Sequence, residues 1–110
     1  MAAIANLQID QGATFTSDVT VKDANGNPFD LTGYTARAKL AKGYQSTKTR
    51  QDFTTTIASA TEGKVTLSLT ATETTALEDT RYVYDLEIQT GDVVTRVIEG
   101  IISVRPQVTT

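Results

Sequence analysis

The stretch "YVYDLEIQTGDVVTRVIEG", residues 82–100, decides the fold class of this chain. Apolar and polar residues alternate through its first half, which is the period-two pattern of a strand with one buried face. Gly91-Asp92 interrupts the pattern, and a second run rich in β-branched residues begins at Val93. The core-facing positions of the first strand are Tyr82, Tyr84, Leu86 and Ile88. The stretch therefore predicts two antiparallel strands joined by a tight turn.

Similar alternation fills most of the chain, in short runs separated by Gly, Asn and Pro. A capping box, Thr70-x-x-Glu73, predicts one short helical turn near residues 71–78. Asn25-Gly26 predicts a two-residue hairpin turn. Seven or eight short, threonine-rich strands indicate an all-β fold, an antiparallel immunoglobulin-like β-sandwich in preference to a small barrel.

The length of 110 residues is that of one domain. We expect a single β-sandwich over residues 1–110, with candidate extended arms at 1–10 and 105–110. No apolar run is long enough to cross a bilayer, and the first ten residues lack the organisation of a secretory signal. The expected site of synthesis is therefore the cytoplasm.

Composition argues against an enzyme. The chain has no cysteine and no histidine, which removes thiolate metal sites, histidine ligands and the common nucleophile–histidine systems. The net charge of −3 argues against nucleic acid as the main partner. We expect no catalytic residues, no cofactor, no metal, no small-molecule substrate and no membrane partner.

Half of the ten basic residues lie close together in the sequence, with no acidic residue between Asp30 and Asp52. One interpretation is a solvated strand face that continues into a loop. The other is a basic end of the molecule that docks an acidic partner, including a second copy of the chain. The predicted interface cations are Arg37, Lys39, Lys42, Lys48 and Arg50.

The last strand carries apolar residues on both faces, whereas a sandwich strand with one wet side has a polar outer face. Alternation places Val94, Ile98, Ile102 and Val104 on one face, and Val93, Val97 and Ile101 on the other. The second set is predicted to be covered, either by the N-terminal strand or by a partner subunit. Gly100 predicts a bulge or a close approach of backbone. A register slip of one residue would exchange the two faces.

Two further patterns in the sequence have simple structural explanations. Asp23, Asn25 and Asn27 have the alternate spacing of a calcium loop, but such a loop needs Gly and Glu where this chain has Pro28 and Tyr34. A hairpin turn is the better interpretation. Asp85 and Glu87 lie roughly 7 Å apart by strand rise, as a glycosidase pair could, but solvated carboxylates on an outer strand face are more common.

The order of motifs resembles a family of small β-sandwich virion proteins of tailed bacteriophages, and the N-terminal attachment domain of phage upper baseplate proteins. The resemblance rests on three segments, "QGATFTSDVTVKDANGNPFDLTGYTARAKL", "GKVTLSLTATETTAL" and "RYVYDLEIQTGDVVTRVIEGIISVRPQVT". Together they extend from about Gln11 to Thr109. The family's longer members continue into a helical or receptor-binding region, which this sequence does not include.

The resemblance implies a non-enzymatic virion structural protein that contacts other phage proteins and copies of itself. It fits a capsid decoration or cement protein and a tail or baseplate accessory equally well, and it supplies no catalytic residues. The alternative is a carbohydrate-binding or adhesion module, for which Tyr34, Tyr44 and Tyr82 are the candidate stacking residues. The absence of tryptophan argues against that alternative.

Overall fold

The computed structural model describes residues 3–43, 50–78 and 80–108, which form two packed β-sheets and one short helix. The all-β sandwich predicted from the sequence is confirmed. The strands are β1 (Ala3–Ile4), β2 (Leu7–Asp10), β3 (Phe15–Thr20), β4 (Thr35–Ala41), β5 (Gln51–Asp52), β6 (Thr54–Ser59), β7 (Lys64–Leu69), β8 (Arg81–Thr90) and β9 (Val93–Arg105), and the helix is α1 (Ala71–Thr75).

The strands are distributed between the sheets in the order of an immunoglobulin sandwich. The first sheet runs β1–β9–β8–β4–β5, with β2 also paired to β9, and the second runs β3–β7–β6. In immunoglobulin terms, β3, β7 and β6 take the B, E and D positions, while β4, β8 and β9 take C, F and G. The predicted immunoglobulin-like topology is therefore present.

The connection between the two sheets contains the predicted helical turn. Thr70 accepts a hydrogen bond from the Glu73 backbone N–H, and the Glu73 carboxylate accepts one from the Thr70 N–H, which completes the capping box. After the helix, the Tyr82 hydroxyl accepts a hydrogen bond of 2.9 Å from the Glu78 backbone N–H. Immunoglobulin-like sandwiches fasten this corner with a tyrosine at the same place in the fold.

Alternation along each strand fills the core between the sheets. Phe53 bridges the two halves of that core, because its ring lies 6.0 Å from the ring of Phe15 and 6.2 Å from the ring of Tyr84. The largest fully buried apolar side chains are Ile9, Leu31, Leu40, Leu67, Leu69, Leu86 and Ile102. The outward side chains of β4, β8 and β9 are thus held on a packed layer.

Most of the described N-terminal segment, residues 3–10, forms strands at the edge of the first sheet. Both β1 and β2 pair in parallel with β9, in one continuous register that runs from Ala3 opposite Ile98 to Asp10 opposite Arg105. Residues 3–10 of the candidate arm at 1–10 therefore lie along the sheet, and this parallel pairing adds to the antiparallel pairing of the other strands. The physical reason is that β9 is long enough to pair with β8 on one side and with this segment on the other.

The N-terminal segment runs beside β9 and lies very close to its backbone at Gly100. A Cβ atom at Gly100 would lie 2.2 Å from the Ala5 carbonyl oxygen. That oxygen accepts a hydrogen bond of 2.5 Å from the buried Tyr84 hydroxyl, and Asn6 Oδ1 accepts one of 3.0 Å from the Ile101 N–H. The prediction of a close backbone approach at Gly100 is confirmed.

The bulge in β9 lies at Val97 and not at Gly100. Leu86 pairs with Ile98, but the next residue of β8, Glu87, pairs with Arg96, so that Val97 is the extra residue. Cross-strand partners share a face, so Val94 lies on the side opposite Ile98. This corrects the face assignment made by simple alternation.

The turn after β3 differs from the predicted two-residue hairpin. Gly26 has a φ of +83°, but Asn25 does not have the positive φ that a type I′ turn requires. The Asp23 carboxylate instead accepts hydrogen bonds from the N–H groups of Asn25 and Asn27, and the Asp23 N–H reaches the Asn27 carbonyl. The loop is therefore three residues long, with Gly26 in the left-handed position.

The end of β9 is tied to the turn after β2. The Gln107 backbone N–H donates a hydrogen bond to Gln11 Oε1. The side-chain amide nitrogen of Gln11 in turn donates to the Leu77 carbonyl oxygen. The first residues of the segment expected as an arm at 105–110 therefore lie against the sandwich, whereas Thr109 and Thr110 fall outside the described residues. Among the described residues, no helix has the length and apolarity needed to cross a membrane.

Candidate interaction surface

The outer face is the side of the first sheet that points away from the second sheet, and we define it by the outward residues of β4, β8 and β9. Pairing aligns these residues in rows across the strands. One row is Arg37, Glu87 and Arg96; the next is Lys39, Asp85 and Glu99; the third is Ala41, Val83 and Ile101. Two rows are therefore fully charged and the third is apolar.

The charged rows are joined by ion pairs that cross between strands. Arg37 Nε lies 3.0 Å from Glu87 Oε1, and Arg96 Nε lies 3.3 Å from Asp85 Oδ2. Arg96 also reaches Glu99, and Lys39 Nζ lies 3.3 Å from an Asp52 carboxylate oxygen on the neighbouring strand. Exposed pairs of this kind contribute little to stability, so their main effect is to fix the positions of the charges.

The surroundings of Asp85 disfavour the ionised form of its carboxylate. Burial raises its pKa, and the nearby charges of Glu87 and Glu99 act in the same direction. The guanidinium of Arg96 opposes that effect but does not cancel it. The main cause is therefore the partial burial of the Asp85 carboxylate, which Arg96 and Arg50 offset only in part.

A shallow groove of about 330 Å³ lies over β4 and β8 on this face. Its walls include the side chains of Arg37, Lys39, Asp85 and Glu87, with Arg50 at one end. Within residues 3–43, 50–78 and 80–108, no group of three or more acidic side chains is arranged to hold a metal ion. The groove therefore offers charged and apolar contacts to a partner, and its charged side chains are joined in ion pairs.

The predicted basic cluster is not a uniformly basic end. Arg37 and Lys39 lie together on the outer face, each beside a carboxylate, and Lys42 pairs with Glu78 away from them. That hydrogen bond with Glu78 raises the pKa of Lys42. Arg50 also interacts within the chain, whereas Lys48 lies outside the described residues. The face is mixed in sign, because strands distant in sequence bring acids to these cations.

The predicted apolar interface residues of β9 do not share one face. Ile101 lies in the apolar row of the outer face and is 39% exposed. Val93 pairs with Thr90, which alternation places on the same side as Leu86, and Val97 is the partly buried bulge residue that packs on the core. The N-terminal strands cover the edge of β9 and leave Ile101 exposed. The bulge is the reason that the three valine and isoleucine positions separate.

The sequence did not indicate that the acidic residues of β8 lie beside the cations of β4 and β9 on the outer face. Asp85 and Glu87 were seen as outward carboxylates, and Arg37 as an outward cation, but nothing local indicates that β4 and β8 are neighbours. The usable signal was the matching alternation of two strands with opposite outward charges. Asp85 and Glu87 are each held by an arginine, which does not match a free glycosidase pair.

The described tyrosines of the carbohydrate alternative are engaged in the fold. Tyr82 is buried and accepts the Glu78 N–H, while the ring of Tyr34 packs edge-on against Phe29 at 5.5 Å. Tyr44 lies outside the described residues. Neither described ring forms part of the outer face.

These features define an immunoglobulin-like β-sandwich with a charged outer sheet face. No protein family and no curated protein sequence matches the chain. Its fold is similar to a solved structure, the N-terminal domain of phage TP901-1 ORF48, with a TM-score of 0.56. The match covers 92% of this chain and 85% of that domain at 10% sequence identity, so the likeness is one of fold.

Proposed function

We propose that this protein is a non-enzymatic structural component of a tailed-phage virion that acts through protein–protein contacts. The observation that carries the proposal is the fold match to a phage protein domain over 92% of the chain. The order of motifs in the sequence supports the same class of protein independently of the fold comparison. A fold alone supports many functions, so the proposal also depends on the surface.

The outer face supports a binding role better than a catalytic one. Its carboxylates Asp85 and Glu87 are held by arginines, and the chain contains no histidine or cysteine to act as a base or nucleophile. Alternating charges on a rigid sheet favour recognition of one partner in one register. The role is therefore contact with neighbouring proteins, as a capsid decoration or cement protein or as a tail or baseplate accessory.

The test is to locate the protein in particles of the phage whose genome carries this sequence. Particles are purified by density gradient and analysed by quantitative mass spectrometry, and cryo-electron microscopy maps are searched for this sandwich. We expect a fixed copy number per virion and density at the capsid surface or on the tail. A non-structural protein of the same phage, measured in parallel, reports carry-over from the lysate. Absence from washed, infectious virions contradicts the proposal.

A further inference from the structure

On β4 and β8, the charges of the outer face are sorted by strand, whereas β9 carries one charge of each sign, Arg96 and Glu99. Strand β4 presents the cations Arg37 and Lys39, and β8 presents the carboxylates Glu87 and Asp85 at the same two levels. In each row the cation on β4 stands directly beside the carboxylate on β8. The face therefore carries a positive column and a negative column, one strand spacing of about 4.8 Å apart.

Such a pair of columns is complementary to itself. Consider a second copy stacked face to face on the first, with a twofold axis that runs parallel to the strands, midway between β4 and β8. The rotation leaves each level unchanged and exchanges the columns, so Arg37 of one copy lies over Glu87 of the other. Lys39 likewise lies over Asp85. An isologous interface needs this self-complementarity.

We propose that the outer face docks on the same face of a second copy of this chain, about this twofold axis. The inference names one partner of the structural role proposed above and rests on it. Stacked sheets are rotated relative to each other, so facing residues stay best aligned near the axis, where these rows lie.

The size of the face makes this a weak interface. The four strands that overlap about this axis, β5, β4, β8 and β9, span about 19 Å, and the three rows span about 20 Å along them, which gives roughly 400 Å² per copy. The total of roughly 800 Å² is below the size of a stable specific interface and falls in the range of weak, transient contacts. We therefore expect reversible association that depends strongly on salt and that becomes stable only where many copies are assembled together.

Sedimentation velocity of the full chain, from about 10 μM to about 1 mM, measures the association directly. We expect a concentration-dependent dimer whose association constant falls at least about tenfold between 50 and 500 mM NaCl. Wild type that remains monomeric over the whole range at 50 mM NaCl overturns the inference. That result would leave the location of the protein in virions unaffected, so the two proposals fail separately.

Two charge variants test the geometry. R37E/K39E makes both columns acidic, and D85K/E87K makes both basic. Each is expected to be monomeric alone, and an equimolar mixture is expected to form a 1:1 dimer. The matched control, K22E/K64E, changes the charge as much as R37E/K39E at positions away from the outer face and should dimerise like wild type. Dimerisation of R37E/K39E alone, or failure of the mixture to associate while wild type dimerises, overturns the proposed axis.

Discussion

Replacing Gly100 with alanine tests the closest contact in the molecule. The new Cβ would lie 2.2 Å from the Ala5 carbonyl oxygen and 2.8 Å from its carbonyl carbon. The Ala5 backbone must then move by about 1 Å to reach an ordinary contact distance. That movement breaks the hydrogen bond from Tyr84 and strains the one between the Ala5 N–H and the Glu99 carbonyl, which is 2.9 Å long.

The cost follows from two contributions. Overpacking against backbone costs about 1–3 kcal/mol, and a buried hydroxyl left without a partner costs about 1–3 kcal/mol. Because Tyr84 is 2% exposed, its hydroxyl has no access to water as a substitute partner. We expect Gly100→Ala to lower the free energy of unfolding by about 3 kcal/mol, with β1 detached from β9 before the rest unfolds.

Urea unfolding followed by fluorescence gives the free energy, and hydrogen exchange with mass spectrometry localises the change to residues 3–8. The control is Gly33→Ala, because Gly33 has a φ of +84° and no atom within 4 Å of a built Cβ. That change should cost about 1–2 kcal/mol of backbone strain and leave exchange in β1 unchanged. If Gly100→Ala costs less than about 1 kcal/mol and β1 stays protected, the reasoning about close passage is refuted.

Three further predictions concern individual polar side chains. Burial raises the pKa of Tyr84 to about 12, so one of the four tyrosines should ionise near that pH in an ultraviolet titration, and Tyr84→Phe should remove it. The stability that the neutral phenol contributes is present below its ordinary pKa and is lost as the pH rises through 12. Thr74→Val should lower the free energy of unfolding in urea by about 1–3 kcal/mol. The reason is that the fully buried Thr74 hydroxyl accepts a hydrogen bond from the Gly12 N–H and donates one of 2.9 Å to the Ala13 carbonyl oxygen. The control, Thr75→Val at an exposed position, should cost much less. The Asp85→Asn variant should be at least as stable as wild type at pH 7, because the pKa of Asp85 is raised in the folded state and its ionisation there is unfavourable. The advantage of the variant should vanish as the pH falls through the folded pKa of Asp85, where wild type becomes protonated. A large loss of stability of the variant at pH 7 contradicts the direction of this shift.

Local signals in the sequence identified the elements that local physics determines. The capping box of Thr70 and Glu73 and the alternation from Tyr82 to Ile88 were read correctly, because both depend on neighbours within a few residues. The turn at Asn25-Gly26 was read wrongly because the carboxylate of Asp23 captures two backbone N–H groups. A side chain two residues upstream therefore outweighed the dipeptide preference.

Non-local features could not be read in this way. The bulge at Val97 lies in a run with apolar residues on both faces. The sequence pattern of that run does not specify a strand register, which is set instead by the pairing of β9 with β8. The ion pair of Arg37 with Glu87 joins positions fifty residues apart, and the parallel pairing of β2 with β9 joins Leu7 to Ile102. The mixed charge of the outer face follows from such pairings and not from any stretch of sequence.

The pairing of β2 with β9 also governs when the protein can finish folding. Strand β2 leaves the ribosome early, but its partner Arg105 is synthesised almost a whole domain later. Until then the edge of β2 and the buried side chain of Ile9 have no cover, so the nascent sandwich stays open through most of its synthesis. Chaperone binding and early cleavage should therefore act on the chain until β9 has been synthesised, because the sandwich can close only after that point.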